Sequence, residues 1–190
     1  YRFDGALVNL LPAAPGWRRE IARTRDEGDG TRVIEWRRGG GCRIPPDDNV
    51  QHLPPWRPPG AEAVDLEALW YDDPHGMGGL KHPFYFGLDA AAQRPAPKDG
   101  RARSGYFPEY LFRTVELLRE RTGGELSIHA EVFSPFTQLM ELFGYGEALM
   151  LLTTMPDRCR AILARYAGGT AELAGEFARR GADAVLVSSA

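Results

Sequence analysis

The sequence predicts an α/β fold, a partial (β/α)8 TIM barrel with parallel strands, from three features of its second half. Residues 126–133 alternate apolar and polar side chains, which is the period of a β-strand. Ser134 and Pro135 follow as a helix N-cap and first helical residue, so the strand leads directly into a helix. A long helical pattern then runs through Gly181 into an apolar strand at 184–189. Such alternation implies a parallel sheet with right-handed crossovers.

The two faces of the strand at 126–133 indicate where a site would lie. One face is apolar and consists of Leu126, Ile128, Ala130 and Val132. We expect this face to pack on helices, so that Ser127, His129 and Glu131 face the barrel interior. Glu131 is nearest the carboxyl end of the strand, where such barrels carry their sites. The alternative is an antiparallel strand with one face in water.

Length and composition describe one globular domain. The 190 residues are 43% hydrophobic and carry a formal charge of −3, which gives no argument for nucleic-acid binding. No stretch is long and apolar enough to span a membrane, and Cys42 and Cys159 form no CxxC pair, so a reducing cytoplasm is expected. The chain begins with Tyr1 and stops at Ala190, directly after an apparent strand. We therefore expect a single, incomplete TIM-barrel domain over residues 1–190.

The first 60 residues are predicted to be one barrel strand followed by decoration. Residues 5–11 form a short buried strand whose one polar member, Asn9, is either a core residue bonded to backbone or a site residue. Residues 15–27 predict a short polar helix. Residues 31–36 and 41–44 predict an inserted β-hairpin around a glycine turn.

Two long Pro- and Gly-rich loops interrupt the barrel. Residues 44–60 should be irregular, and their acidic and histidine residues match no metal motif. A short helix is expected at 61–70. Residues 71–105 form the second loop, whose His75, His82 and aromatic residues either line a pocket mouth or, the favoured interpretation, hold the loop on the body.

Three helical patterns complete the barrel segment at 61–190. They cover residues 106–123, 145–152 and 154–181. In the last, Thr154 and Asp157 have the spacing of a capping box. The glycine pair at 168–169 predicts a bend or close packing.

Three segments together resemble the uroporphyrinogen decarboxylase superfamily. They are SPFTQLMELFG after a strand, TMPDRCRAILARY, and EFARRGADAVLVSSA. The resemblance covers residues 106–190 and is weaker over 3–11 and 64–66. It implies a (β/α)8 barrel from one of two branches. One branch decarboxylates the acetate groups of uroporphyrinogen without a cofactor; the other contains zinc-dependent methyltransferases that move methyl groups between corrinoid proteins and thiols such as coenzyme M.

The decarboxylase pattern is poorly matched. Its arginine-rich segment would have to precede this chain, and its essential Asp falls near Asn9, where no acid is present. Its pocket Tyr falls at about Glu141. Its pocket Ser matches Ser189, with Ser188 where an acid is common.

The zinc ligands of the methyltransferase branch, a His-x-Cys pair and a distant Cys, would lie after Ala190. Neither cysteine of this chain has a histidine at suitable spacing, so no metal ligand is assigned. The cofactor is unknown, zinc being an option only with ligands outside this chain, and the decarboxylase alternative needs none.

The candidate site is therefore neutral to acidic. The predicted catalytic residues are His129, Glu131 and Asn9, and the predicted substrate-binding residues are Ser134, Glu141, Ser188 and Ser189. Such a set suits acid–base work on a small molecule rather than a polyanion, which needs cations. The helix that begins after Ser134 could hold an anionic group.

Three functions remain open. A corrinoid-linked methyltransferase-like enzyme, with a corrinoid protein as partner, is favoured. The alternatives are a uroporphyrinogen decarboxylase of porphyrin biosynthesis and a non-catalytic binding member of the same fold. No nucleic-acid or membrane partner is expected, and a homodimer is compatible with the sequence.

Overall fold

The computed structural model describes residues 4–8, 17–37, 40–48, 51–53, 60–67, 69–71, 107 and 109–189. The strands within these residues are β1 (Gly5–Val8), β2 (Ile21–Glu27), β3 (Thr31–Trp36), β4 (Gly41–Ile44), β5 (Gln51–Leu53), β6 (Ser127–Phe133) and β7 (Ala184–Ser188). The α-helices are α1 (Arg113–Thr122), α2 (Pro135–Phe143), α3 (Tyr145–Thr154) and α4 (Pro156–Arg179). Short 3-10 helices lie at Trp17–Glu20, Ala61–Ala63 and Glu109–Phe112.

A parallel sheet in the order β1-β6-β7 confirms the predicted parallel pairing. His129 in β6 is in register with Leu7 of β1 on one side and Ala184 of β7 on the other. Because both neighbours run parallel to β6, the antiparallel alternative for this strand is wrong. The sheet and its helices are part of a β/α fold, and closure into a barrel stays a prediction.

The helices cover the face of β6 that was predicted to be apolar. Ile128, Ala130 and Val132 are fully buried against a cluster that includes Val115 of α1 and Leu173 of α4. In the same cluster, the aromatic rings of Phe112 and Phe177 pack edge to face, their centroids 5.2 Å apart. Burial of this face directs the alternate residues of β6 to the opposite side of the sheet.

The link between β6 and α2 is a single capping residue, as predicted. Ser134 has extended backbone angles, and its Oγ accepts the N–H of Thr137 at 3.1 Å. Pro135 occupies the first turn, where its missing N–H costs nothing. Gly144 ends α2 at φ +83°, which confirms the predicted break before α3.

The second sheet contains the predicted hairpin but is larger than predicted. It is antiparallel in the order β2-β3-β4-β5, with β3 and β4 as the hairpin. The polar helix predicted for residues 15–27 is wrong, since Trp17–Glu20 form a 3-10 turn and Ile21–Glu27 form β2. Cross-strand ion pairs, such as Arg43 with Glu27 at 2.8 Å, hold these charged residues in the sheet. The supposedly irregular residues 44–60 contribute β5, which pairs with β4.

Residues 60–67 and 69–71 form a strap along α4 instead of the predicted helix at 61–70. Arg158 donates from Nε to the carbonyl of Ala61 at 3.0 Å and also binds the carbonyls of Glu62 and Val64. These carbonyls are thereby satisfied without a continuing helix. Within the described part of this segment, Ala61–Ala63 form a 3-10 turn and Val64 is extended at ψ 120°.

The start of α4 also differs from expectation. Met155 precedes the helix with φ −137°, and no side chain caps it. Thr154 Oγ1 instead donates to the carbonyl of Met150 in α3 at 2.9 Å, so the predicted capping box with Asp157 is wrong. None of the helices in the described ranges is both long and apolar enough to cross a membrane.

Candidate functional site

His129 and Glu131 lie side by side on the sheet face that carries no helix in the described part of the chain. They are flanked in register by Leu7 and Leu186, which are 54% and 51% exposed. The face thus combines an imidazole and a carboxylate with two apolar side chains. We call it the open face.

His129 has a polar neighbour on its own strand. Ser127 Oγ lies 2.8 Å from Nε2 of the imidazole, which is a hydrogen bond between residues two apart on one face. This contact follows from the predicted orientation of β6, in which Ser127 and His129 point the same way.

Asp183 is a charged residue at the amino end of β7 that contacts β6. Its Oδ2 accepts the N–H of Ile128 at 2.8 Å and the guanidinium of Arg119 at 2.5 Å. The backbone N–H of Ile128 and then Arg119 lower the pKa of Asp183, and the charge of His129 is a smaller further cause. A negative charge is therefore held beside the histidine.

Four hydroxyl-bearing residues meet where β6 and β7 end. Ser134 Oγ accepts from Ser189 Oγ at 2.9 Å and lies 3.2 Å from Thr137 Oγ1. The carbonyl of Ser188 accepts the N–H of Ser134 at 2.8 Å and the hydroxyl of Thr137 at 3.3 Å. Ser134 and Thr137 are buried and Ser189 is exposed, so a ligand can reach Ser189 but not Ser134 or Thr137.

A buried polar network binds the backbone of Phe133, the last residue of β6. Its N–H donates to the hydroxyl of Tyr71 at 3.2 Å. Its carbonyl accepts from Thr170 Oγ1 at 3.1 Å and from Gln138 Nε2 at 3.2 Å, and Gln138 also donates to Thr170 at 2.8 Å. These bonds fix the backbone immediately before Ser134.

The structure brings together some, but not all, of the predicted site residues. His129 and Glu131 share the open face, and Ser134, Ser188 and Ser189 meet at its carboxyl edge. Glu141 lies near the end of α2, seven residues after Ser134, which is about 10 Å along a helix axis. Asn9 lies outside the described residues.

Sequence reasoning missed the residues that support this edge. Tyr71, Thr170 and Gln138 were not singled out, because their role depends on contacts between distant segments. Asp183 was noted only within the GAD motif. Its position directly before a strand is the one local signal that could have identified it.

The described residues do not fit a zinc site. They contain no group of three or more His, Cys, Asp or Glu side chains placed to hold a metal ion. Both cysteines are free and buried. Burial raises the pKa of Cys42 to about 11 and also raises that of Cys159, which disfavours the thiolate that zinc requires. No step through a metal is therefore derived.

The charge of the open face limits the ligands it can bind. In the parallel sheet, the open-face positions of the described strands are Gly5 and Leu7 of β1, Ser127, His129, Glu131 and Phe133 of β6, and Ala184, Leu186 and Ser188 of β7. None of these is Lys or Arg. A carboxylate and an imidazole can exchange protons with a ligand, but they cannot neutralise several ligand carboxylates.

Comparison with known proteins gives one match. The family model described as "Uroporphyrinogen decarboxylase (URO-D)" matches residues 88–190, more than half of the chain. No curated protein matches the chain. No solved structure matches it either. The matched region includes β6, α2, α4 and β7, and thus every predicted site residue except Asn9.

Proposed function

Because the chain belongs to the uroporphyrinogen decarboxylase superfamily, we propose that it is an enzyme of the corrinoid-linked methyltransferase branch of that superfamily. The observation that carries this proposal is the charge of the open face. Its ionisable groups are His129 and Glu131, and no Lys or Arg accompanies them at the described open-face positions of β1, β6 and β7. A small, weakly charged substrate fits this face better than an acidic tetrapyrrole does.

The decarboxylase alternative requires chemistry that the open face does not offer. Uroporphyrinogen carries many carboxylates, each of which loses its hydration when it enters a site. Their burial is favourable only beside cations or several hydrogen-bond donors. Glu131 would repel them, at a strength that rises as water is excluded. The decarboxylase remains the second candidate function, because the matching family model is described as uroporphyrinogen decarboxylase.

In the proposed reaction, His129 and Glu131 remove the proton of the methyl acceptor and orient this acceptor. A thiol must lose its proton to attack, because the thiolate is the nucleophile. The two side chains start about 6–7 Å apart along the strand, so one of them can take the proton while the other orients the acceptor. The corrinoid of a partner protein would supply a methyl group activated for attack by sulfur. Leu7 and Leu186 offer the apolar surface beside which a methyl group can lie.

The test is a pair of assays on the natural full-length protein. One follows demethylation of methylcobalamin with coenzyme M as acceptor, and the other follows carboxylate loss from uroporphyrinogen. We expect methyl transfer, and we expect Glu131→Gln and His129→Ala each to lower its kcat by about 100-fold, the usual weight of a general acid–base group. Glu147→Gln, an exposed change in α3, is the matched control and should have no effect.

Two results would contradict this function. Carboxylate loss without methyl transfer would make the protein a decarboxylase. Absence of both activities, with ligand binding unchanged in Glu131→Gln and His129→Ala, would favour the non-catalytic binding module. A cytoplasmic location belongs to the same proposal, since both cysteines are free and a reducing compartment keeps them so.

A further inference from the structure

Ser127 and His129 belong to the same strand, β6, and lie on the same face of the sheet. Ser127 Oγ lies 2.8 Å from Nε2, the ring nitrogen farthest from the backbone. The bond therefore fixes both rotatable angles of the histidine side chain, and the other ring nitrogen, Nδ1, remains for a ligand.

The flanking strands offer the imidazole no comparable support. The residues in register with His129 are Leu7 and Ala184, whose side chains have no polar atom. Asp183 is close enough for its charge to interact with that of His129. Its Oδ2 is already bound to Arg119 and to the N–H of Ile128. Without the Ser127 hydroxyl, the exposed imidazole would populate several rotamers and both neutral tautomers.

We propose that Ser127 is the positioning residue of His129, accepting a hydrogen bond from Nε2–H so that bare Nδ1 faces the open face as the proton acceptor. This inference rests on the proposed function, in which His129 handles the proton of the substrate. In the proton-transfer step, the acceptor's S–H bond breaks, its proton binds Nδ1, and its electron pair stays on sulfur. The Nε2–H bond to Ser127 is retained and stabilises the imidazolium that forms.

The first test reads the tautomer of His129 by nitrogen NMR at alkaline pH, with the His129 signals assigned by their loss in His129→Asn. In the wild type, the proton should reside on Nε2. Ser127→Ala should move the two nitrogen signals towards each other, because the tautomers then mix. Ser127→Thr keeps a hydroxyl at the same position and should restore the wild-type signals.

The second test is the methyl-transfer assay. Ser127→Ala should lower kcat by about tenfold or more with KM unchanged, because the lost hydrogen bond is made to the charge that forms in the transition state. Ser127→Thr should recover most of the rate. Thr24→Ala removes a hydroxyl from an exposed position of the second sheet and should leave the rate unchanged.

The outcomes separate the inference from the proposed function. Identical nitrogen signals in the wild type and Ser127→Ala, or a proton on Nδ1 in the wild type, would overturn the positioning role, even if His129→Ala is inactive. Full methyl transfer by His129→Ala would overturn the catalytic role of His129, and with it the catalytic part of this inference, even if the nitrogen signals show the contact. Absence of methyl transfer in the wild type would overturn the proposed function and leave the nitrogen signals as the test of the contact.

Discussion

At the scale of single residues, Ser134 connects the end of β6 to the end of β7. Its Oγ accepts the N–H of Thr137 and the hydroxyl of Ser189, and its own N–H donates to the carbonyl of Ser188. The N-cap could be predicted from the sequence, because Ser-Pro before an apolar run is a local signal. The bond to Ser189 could not, since it depends on the parallel register of two strands 50 residues apart.

Ser134→Ala should lower the free energy of unfolding by about 1 kcal/mol, and by up to about 2 kcal/mol, because the cap is lost and the N–H of the buried Thr137 is left without its acceptor. Urea denaturation followed by circular dichroism measures this. Ser189→Ala removes one exposed partner from the Ser134 hydroxyl and should cost about 0.5 kcal/mol or less. Equal losses in the two variants would show that the cap does not carry the stability of this junction.

At the scale of elements, the strap packs closely against α4 through Trp70. Trp70 Nε1 donates to the buried Glu172 at 2.6 Å, and the guanidinium of Arg165 lies over the Trp70 ring. Burial raises the pKa of Glu172. The indole and the backbone of Trp70 lie directly against Gly168 and Gly169. The predicted alternatives for this glycine pair were a bend or close packing, and close packing is confirmed.

A pair of glycine substitutions tests this packing. In Gly169→Ala, the new Cβ would overlap the backbone carbonyl of Trp70 and lie 3.0 Å from Tyr71 Cβ, so the strap must move. We expect a loss of about 1–3 kcal/mol in unfolding free energy by urea denaturation.

Gly146→Ala in α3 is the matched control, since nothing lies within 4 Å of its Cβ. It should stabilise the protein by up to about 1 kcal/mol through helix propensity. A loss in Gly146→Ala equal to that in Gly169→Ala would contradict the packing argument.

At the scale of the whole molecule, two buried clusters share α4. One lies between the parallel sheet and the helices α1 and α4 and includes Leu173; the other joins α2, α3 and α4 to the strap and includes Leu139. The apolar stripes of the helices and the buried face of β6 could be predicted from periodicity. The partners of the strap could not, because Trp70 and Glu172 are 102 residues apart in the chain.

Two leucines distinguish the covered face of the parallel sheet from the open face. Leu173 is fully buried, so Leu173→Ala should cost about 2–5 kcal/mol in unfolding free energy. Leu186 is 51% exposed on the open face, and Leu186→Ala should change stability by about 0.5 kcal/mol or less. Thermal and urea denaturation of both variants provide the measurement. A cost for Leu186→Ala as large as that for Leu173→Ala would mean that the open face is part of the core.

The candidate site was predictable to different degrees for different residues. The orientation of His129 and Glu131 followed from strand alternation alone, and the fold confirms that the opposite face is buried. The elements before residue 60 were less predictable, since pairing with β3 outweighed the helical interpretation of residues 21–27. Cross-strand ion pairs and long-range hydrogen bonds cannot be recognised from the local composition of the sequence.

The contact between Trp70 and the glycine pair limits which residues related chains can carry at these positions. The Trp70 ring leaves no room for a side chain at position 168, whereas the Trp70 backbone excludes one at position 169, and Tyr71, the next residue, reaches Phe133 at the site edge. Related chains should therefore vary positions 70 and 168 together, retaining glycine at 168 wherever an aromatic ring occupies position 70 and accepting alanine or serine where a smaller side chain replaces it. Glycine at 169 should be retained in both cases, because the backbone of residue 70 lies against it.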